Sequence, residues 1–201
     1  MLGLLSACGG DKKDRYDYSQ IAGSYQISQE DPTAGPRQIT VYLIDRDTNL
    51  LLVRDTLDKL SVVKGSLDES TGLITFTDGS TCSDKATNVS CTLKGFALDI
   101  PAVNTNAVSL ANLVGNYQIL GGNQVYQVAI ASDGKITGTT PCAVSGQVTQ
   151  ALSPSVNSVQ LLDCQGNKIF GVLTQEKIDA NTSALEVYLP DSILNGFWIQ
   201  R

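Results

Sequence analysis

In a chain without histidine, proton transfer and metal binding fall to carboxylates and cysteines. Asp68 and Glu69 are adjacent, and Asp163 and Glu186 fall on predicted strands. Paired carboxylates are what acid–base glycoside hydrolysis requires. Adjacent strand residues point to opposite faces, however, and carboxylates in a turn are solvated, so no catalytic pair emerges. Asp45, Asp47 and Asn49 alternate as the first oxygen ligands of a calcium loop do. Such a loop needs a glycine at its sixth position and a glutamate at its twelfth, and here Leu50 and Thr56 stand there. The stretch reads as a hairpin turn between strands at Ile39–Ile44 and Leu50–Arg54. Hydroxyl nucleophiles fare no better. No Gly-x-Ser-x-Gly elbow occurs, a Ser-His-Asp triad cannot be built, and no Ser-x-x-Lys stands beside a partner motif. No enzymatic activity, cofactor or metal is expected.

The cysteines carry more information. Leu2, Leu4 and Leu5 form a short apolar run before Ser6, Ala7, Cys8 and two glycines, and charges follow. Leu5-Ser6-Ala7-Cys8 resembles the lipobox of bacterial lipoproteins. The resemblance implies diacylglycerol on the Cys8 thiol, cleavage before Cys8, and acylation of the new amino terminus. Residues 1–7 are then a signal-peptide remnant. A secretory signal also carries a basic region and roughly 7–15 apolar residues, and nothing basic precedes Leu2, so further residues are expected upstream. Two or more acyl chains anchor a protein firmly, at roughly 0.8 kcal/mol per buried methylene. Gly9 follows Cys8 and no aspartate stands next to it, which by the same resemblance favours the outer membrane. Residues 8–18 read as a lipidated tether with balanced charge.

Cys82, Cys91, Cys142 and Cys164 remain. An even number in an exported chain suggests two disulfides. Three pairings are open, and the local one, Cys82–Cys91 with Cys142–Cys164, places one bridge in each half. No C-x-x-C motif is present, so thiol redox catalysis is not expected, and the spacings do not match zinc knuckles.

The elements that must position these residues are strands. Ile39, Val41 and Leu43 alternate with Gln38, Thr40 and Tyr42. Val89-Cys91-Leu93, Val144-Gly146-Val148 and Leu185-Val187-Leu189 alternate likewise. Period two means half-buried strands. The phase shifts after Gly95, which reads as a bulge. Asp78-Gly79 and Asp133-Gly134 are type I′ hairpin signals. Residues 102–112 lack alternation and charge and read as a linker, briefly helical towards its end. On either side, Ile21-Ala22-Gly23-Ser24-Tyr25-Gln26-Ile27 matches Leu113-Val114-Gly115-Asn116-Tyr117-Gln118-Ile119 at four of seven positions, as an internal duplication would. The expected fold is all-β: two tandem small antiparallel barrels or sandwiches over 19–101 and 113–201, the second with about eight strands. The Gly-x-Tyr phrase resembles the Gly-x-Trp that opens lipocalin-like barrels. Phe197, Trp198, Tyr117 and Tyr126 form an aromatic set that would serve either as binding anchors or to close a small core, and Trp198 reads as core.

Composition closes off further classes. With 20 acidic and 14 basic residues the net charge is −6, which offers no surplus to displace counterions from phosphates, so nucleic acid is not an expected partner. The sequence therefore points to a non-enzymatic cell-envelope lipoprotein, held to a membrane through Cys8. It would act as a binding module with a protein partner in the periplasm or at the surface. Alternatives are a lipocalin-like carrier of a small apolar ligand, an inhibitor of a foreign hydrolase with its loop at Asp68–Gly72 or Ser153–Asn157, and a subunit of an envelope machine.

Overall fold

The computed structural model describes residues 15–31, 35–55, 57, 59–85, 87–150, 156–177 and 183–201. Cys8 and the rest of the lipobox lie outside this set. The regular structure of the described chain is nearly all β and forms two tandem antiparallel sheets of eight strands each. The first runs β1 (Gly23–Asp31), β2 (Gly35–Leu43), β3 (Asn49–Arg54), β4 (Leu60–Leu67), β5 (Ile74–Phe76), β6 (Thr81–Lys85), β7 (Asn88–Leu93) and β8 (Phe96–Pro101), each paired with the next. It nearly closes, because Tyr25 bridges to Ala102 and the Val103 N–H donates to the Ser24 carbonyl at 2.8 Å.

A single helical turn, α1 (Leu110–Leu113), leads into the second sheet. Its strands are β9 (Gly115–Gly121), β10 (Gln124–Ile130), β11 (Lys135–Thr140), β12 (Val144–Gln150), β13 (Asn157–Leu162), β14 (Lys168–Lys177), β15 (Ser183–Tyr188) and β16 (Gly196–Gln200). Pairing of β16 with β9 closes this barrel. The inward positions are filled by side chains including Tyr117, Tyr126, Leu161, Leu185 and Trp198. Both Gly-x-Tyr phrases do the same job. The Tyr25 hydroxyl donates to the Ile21 carbonyl at 2.8 Å, and the Tyr117 hydroxyl to the Leu113 carbonyl at 2.7 Å. Each tyrosine thereby satisfies its buried hydroxyl while fixing the turn that leads into its barrel.

Two disulfides pin the halves. Cys82 and Cys91 are cross-strand partners on β6 and β7, with Cα atoms 4.1 Å apart, and both are buried in the first core. Cys142 and Cys164 join the β11–β12 and β13–β14 turns, with Cα atoms 5.5 Å apart.

Several local expectations are corrected. Gly95 is no bulge: Lys94 (φ 48°) and Gly95 (φ 88°) are both left-handed and form a two-residue type I′ hairpin closed by the Leu93–Phe96 pair. Asp78-Gly79 and Asp133-Gly134, in contrast, are not type I′. Gly79 donates to Phe76 and Phe76 to Ser80, the pattern of a type I turn with a left-handed glycine after it, and the Ala131–Lys135 turn repeats it. Each aspartate keeps an ordinary φ because its carboxylate accepts the N–H two residues on, from Ser80 at 2.9 Å and from Lys135 at 3.0 Å. The last residues of the expected 8–18 tether are also not free. The Tyr16 N–H donates to the Glu69 carbonyl at 2.9 Å, and the Tyr18 hydroxyl reaches the fully buried Asn49 at 2.7 Å. Apolar ring area and a buried amide in need of a partner hold this stretch against the first barrel.

Candidate functional site

The outer walls of the two barrels meet, and the sequence of β3 shows why. Leu51 and Val53 face the first core. Leu50 and Leu52 face the other way and join Tyr42 of β2 and Ile44 just after it in an apolar outer patch. Against that patch pack Val156, Val172 and Tyr188 of the second barrel. The Tyr42 and Tyr188 rings stack with centroids 6.1 Å apart. The linker is tied at both ends. Thr105 lies 3.3 Å from the Ser24 hydroxyl, and the buried Asn157 both accepts from and donates to the Val108 backbone at 2.7 and 2.9 Å.

Beside the apolar contact the walls diverge and leave a cleft of about 530 Å³. Strand register dictates what lines it. On the first barrel Gln26, Thr40 and Leu52 form one cross-strand row, and Gln38, Arg54 and Leu60 form the next. On the second barrel Thr174, Glu186 and Phe197 form the facing row. Domain junctions of this kind are where small-ligand sites concentrate.

At the floor, Arg54 of β3 bonds Glu186 of β15 at 2.5 Å. The Glu186 side chain is 5% exposed and that of Arg54 25%. The second carboxylate oxygen of Glu186 accepts the Tyr188 hydroxyl at 2.7 Å. Burial pushes the Tyr42 phenol up to about 12, with the Glu186 charge adding to it. Tyr188 is raised further, first by burial and then because its proton is held by Glu186. Both phenols therefore stay protonated at neutral pH. The ion pair joins the barrels, and both oxygens of Glu186 are engaged, one by Arg54 and one by Tyr188.

The other residues singled out from the sequence lie elsewhere. Asp45 accepts the N–H groups of Asp47 and Thr48 at 2.9 and 2.7 Å, which spends its carboxylate on the β2–β3 turn. Among the described residues no cluster of His, Cys, Asp or Glu could hold a metal ion. Asp68 caps its own turn, where the Ser70 hydroxyl and N–H hold its carboxyl below the usual range. Glu69 pairs with Arg46 at 2.7 Å and Arg15 at 3.4 Å on the surface. Asp163 is not on a strand; it sits in the β13–β14 turn and accepts from Gln165 and Asn167. Of the 153–157 loop, residues 153–155 lie outside the described set, while Val156 and Asn157 are buried. Trp198 is fully buried, its indole donating to the Leu194 carbonyl at 2.9 Å.

Sequence reasoning missed the cleft. Its one sequence signal is the unbroken apolar run Leu50-Leu51-Leu52-Val53, which marks a strand buried on both faces. A second, shallower groove of about 330 Å³ lies on the second barrel alone, lined by Gln118, Gln127, Thr137 and Arg201 among others. Among the described residues no ion pair lies in it. Compared with known proteins, the chain matches no family model, no curated protein and no solved structure.

Proposed function

We propose that this chain is a non-enzymatic binding module of a bacterial cell envelope, lipid-anchored through Cys8, and that the cleft between its barrels is the binding surface. The observation that carries the reading is the cleft itself: two rigid walls, locked by an apolar contact and an ion pair, that hold neutral polar side chains around an open volume. Rigid walls bind without an ordering cost, so most of the contact energy appears as affinity. Two disulfides fit an oxidising compartment outside the cytoplasm, which is where a lipobox would send the chain. The balanced charge of the cleft and the occupied Glu186 carboxylate favour recognition over acid–base chemistry.

A carrier of apolar molecules needs a hollow barrel, and the interior of the β9–β16 barrel is packed, which favours the interaction module. The anchor is tested by labelling with palmitate in a bacterial host, with the upstream start supplied. The expected outcome is label in the wild type and none in Cys8→Ala. Label persisting in Cys8→Ala, or absent from the wild type, removes the lipoprotein reading.

A further inference from the structure

We propose that the interbarrel cleft takes an uncharged oligosaccharide; this rests on the binding reading above and names its ligand class. The argument starts from charge. Among the described residues the ionic groups lining the cleft are Arg54 and Glu186, and they pair with one another at its floor. An anionic or cationic ligand would therefore find no unspent counter-charge there.

Polarity excludes the opposite extreme. Gln26 and Gln38 come from the first barrel, Thr105 from the linker and Thr174 from the second barrel. An apolar ligand would strip water from these amides and hydroxyls without replacing the hydrogen bonds, which is costly. Each glutamine amide carries a donor and an acceptor side by side. That pair matches two neighbouring hydroxyls of a sugar ring. At the rim stands Phe197, 44% exposed although it is a large aromatic ring. Its face suits the C–H side of a pyranose.

A neutral peptide would also satisfy amides, but extended peptides bind chiefly by adding a strand to an open sheet edge. The second barrel has no such edge, and β1 of the first is bridged at Ala102. The volume of about 530 Å³ falls in the usual range for small-ligand sites, about 300–1,000 Å³.

The test uses the full-length protein purified in detergent. Its affinity is measured by calorimetry for a panel of hexasaccharides: maltohexaose, cellohexaose, chitohexaose and mannohexaose as uncharged probes, hexagalacturonate as a charged one. At least one uncharged sugar is expected to bind saturably, and hexagalacturonate more weakly. Gln26→Ala and Gln38→Ala should each lower affinity about fivefold, as loss of one or two net hydrogen bonds does. Phe197→Ala should lower it about tenfold and Phe197→Trp should restore it. All three side chains are exposed or half-buried, so an unchanged melting temperature certifies the fold.

The proposal is overturned if none of the uncharged sugars binds, if the charged hexamer binds more tightly, or if the variants bind as well as the wild type. A photo-crosslinker at position 38 in living cells separates the two levels. A specific protein adduct in the absence of sugar binding overturns the ligand class and keeps the binding module. Neither sugar nor adduct removes both.

Discussion

Glu186 was legible in the sequence only as a carboxylate on a strand; its meaning comes from Arg54, 132 residues away in the chain. A buried carboxylate with a guanidinium and a phenol on its two oxygens is stable as a set and unstable in part. Breaking a buried pair leaves an uncompensated charge, which costs about 3–5 kcal/mol, whereas replacing the whole set with apolar groups of similar volume is often neutral. Arg54 keeps a quarter of its side chain in water, which lowers the cost of breaking this one. We expect Arg54→Met alone to destabilise by about 2–4 kcal/mol in urea unfolding. The triple variant Arg54→Met, Glu186→Met, Tyr188→Phe should come within about 1 kcal/mol of the wild type. If the single and triple variants lose the same amount, the ion pair is not what sets the stability of the floor.

At the scale of elements, the β7–β8 hairpin shows both how far pattern reasoning reaches and where it stops. Lys94 sits at φ 48° and Gly95 at φ 88°. A left-handed conformation strains any residue with a Cβ, asparagine least, and type I′ turns accordingly prefer Asn-Gly. Lys94→Asn should therefore stabilise the protein by about 0.5–1 kcal/mol, read as a rise in the urea midpoint at constant slope. Gly95→Ala, where a Cβ would meet nothing within 4 Å, should lose about 1 kcal/mol from backbone strain alone. A fall in midpoint for Lys94→Asn would contradict the turn type.

The alternation through Val89 to Leu93 and again through Phe96 to Ile100 made both strands readable. The phase break at Gly95 did not say whether the chain bulges or turns back, since that depends on Leu93 pairing with Phe96. Similarly, period two assigns one face of β3 to a core but cannot say what covers Leu50 and Leu52 on the other. The all-β class and the eight strands of the second half were thus written in local pattern. The cleft was not, because register and docking between distant segments create it.

The whole molecule depends on that docking. Tandem domains move independently by default unless their interface is substantial and apolar. Here Tyr42, Ile44, Leu50 and Leu52 meet Val156, Val172 and Tyr188, with Arg54–Glu186 alongside. Leu50 is 1% exposed, yet it points away from the first core. A charge at this position should therefore undock the barrels without unfolding either. Fully burying a leucine is worth about 1.5–3 kcal/mol, and Leu50→Asp also places a carboxylate in an apolar contact. We expect the wild type to melt in one calorimetric transition and Leu50→Asp in two. Its radius of gyration should rise in solution scattering while far-UV circular dichroism stays unchanged. Because each wall of the cleft comes from a different barrel, the same variant should lose ligand binding although Leu50 does not line the cleft. One transition with an unchanged radius would mean that the barrels hold together through the linker anchors at Ser24, Thr105, Val108 and Asn157. The apolar contact would then shape the cleft without securing it.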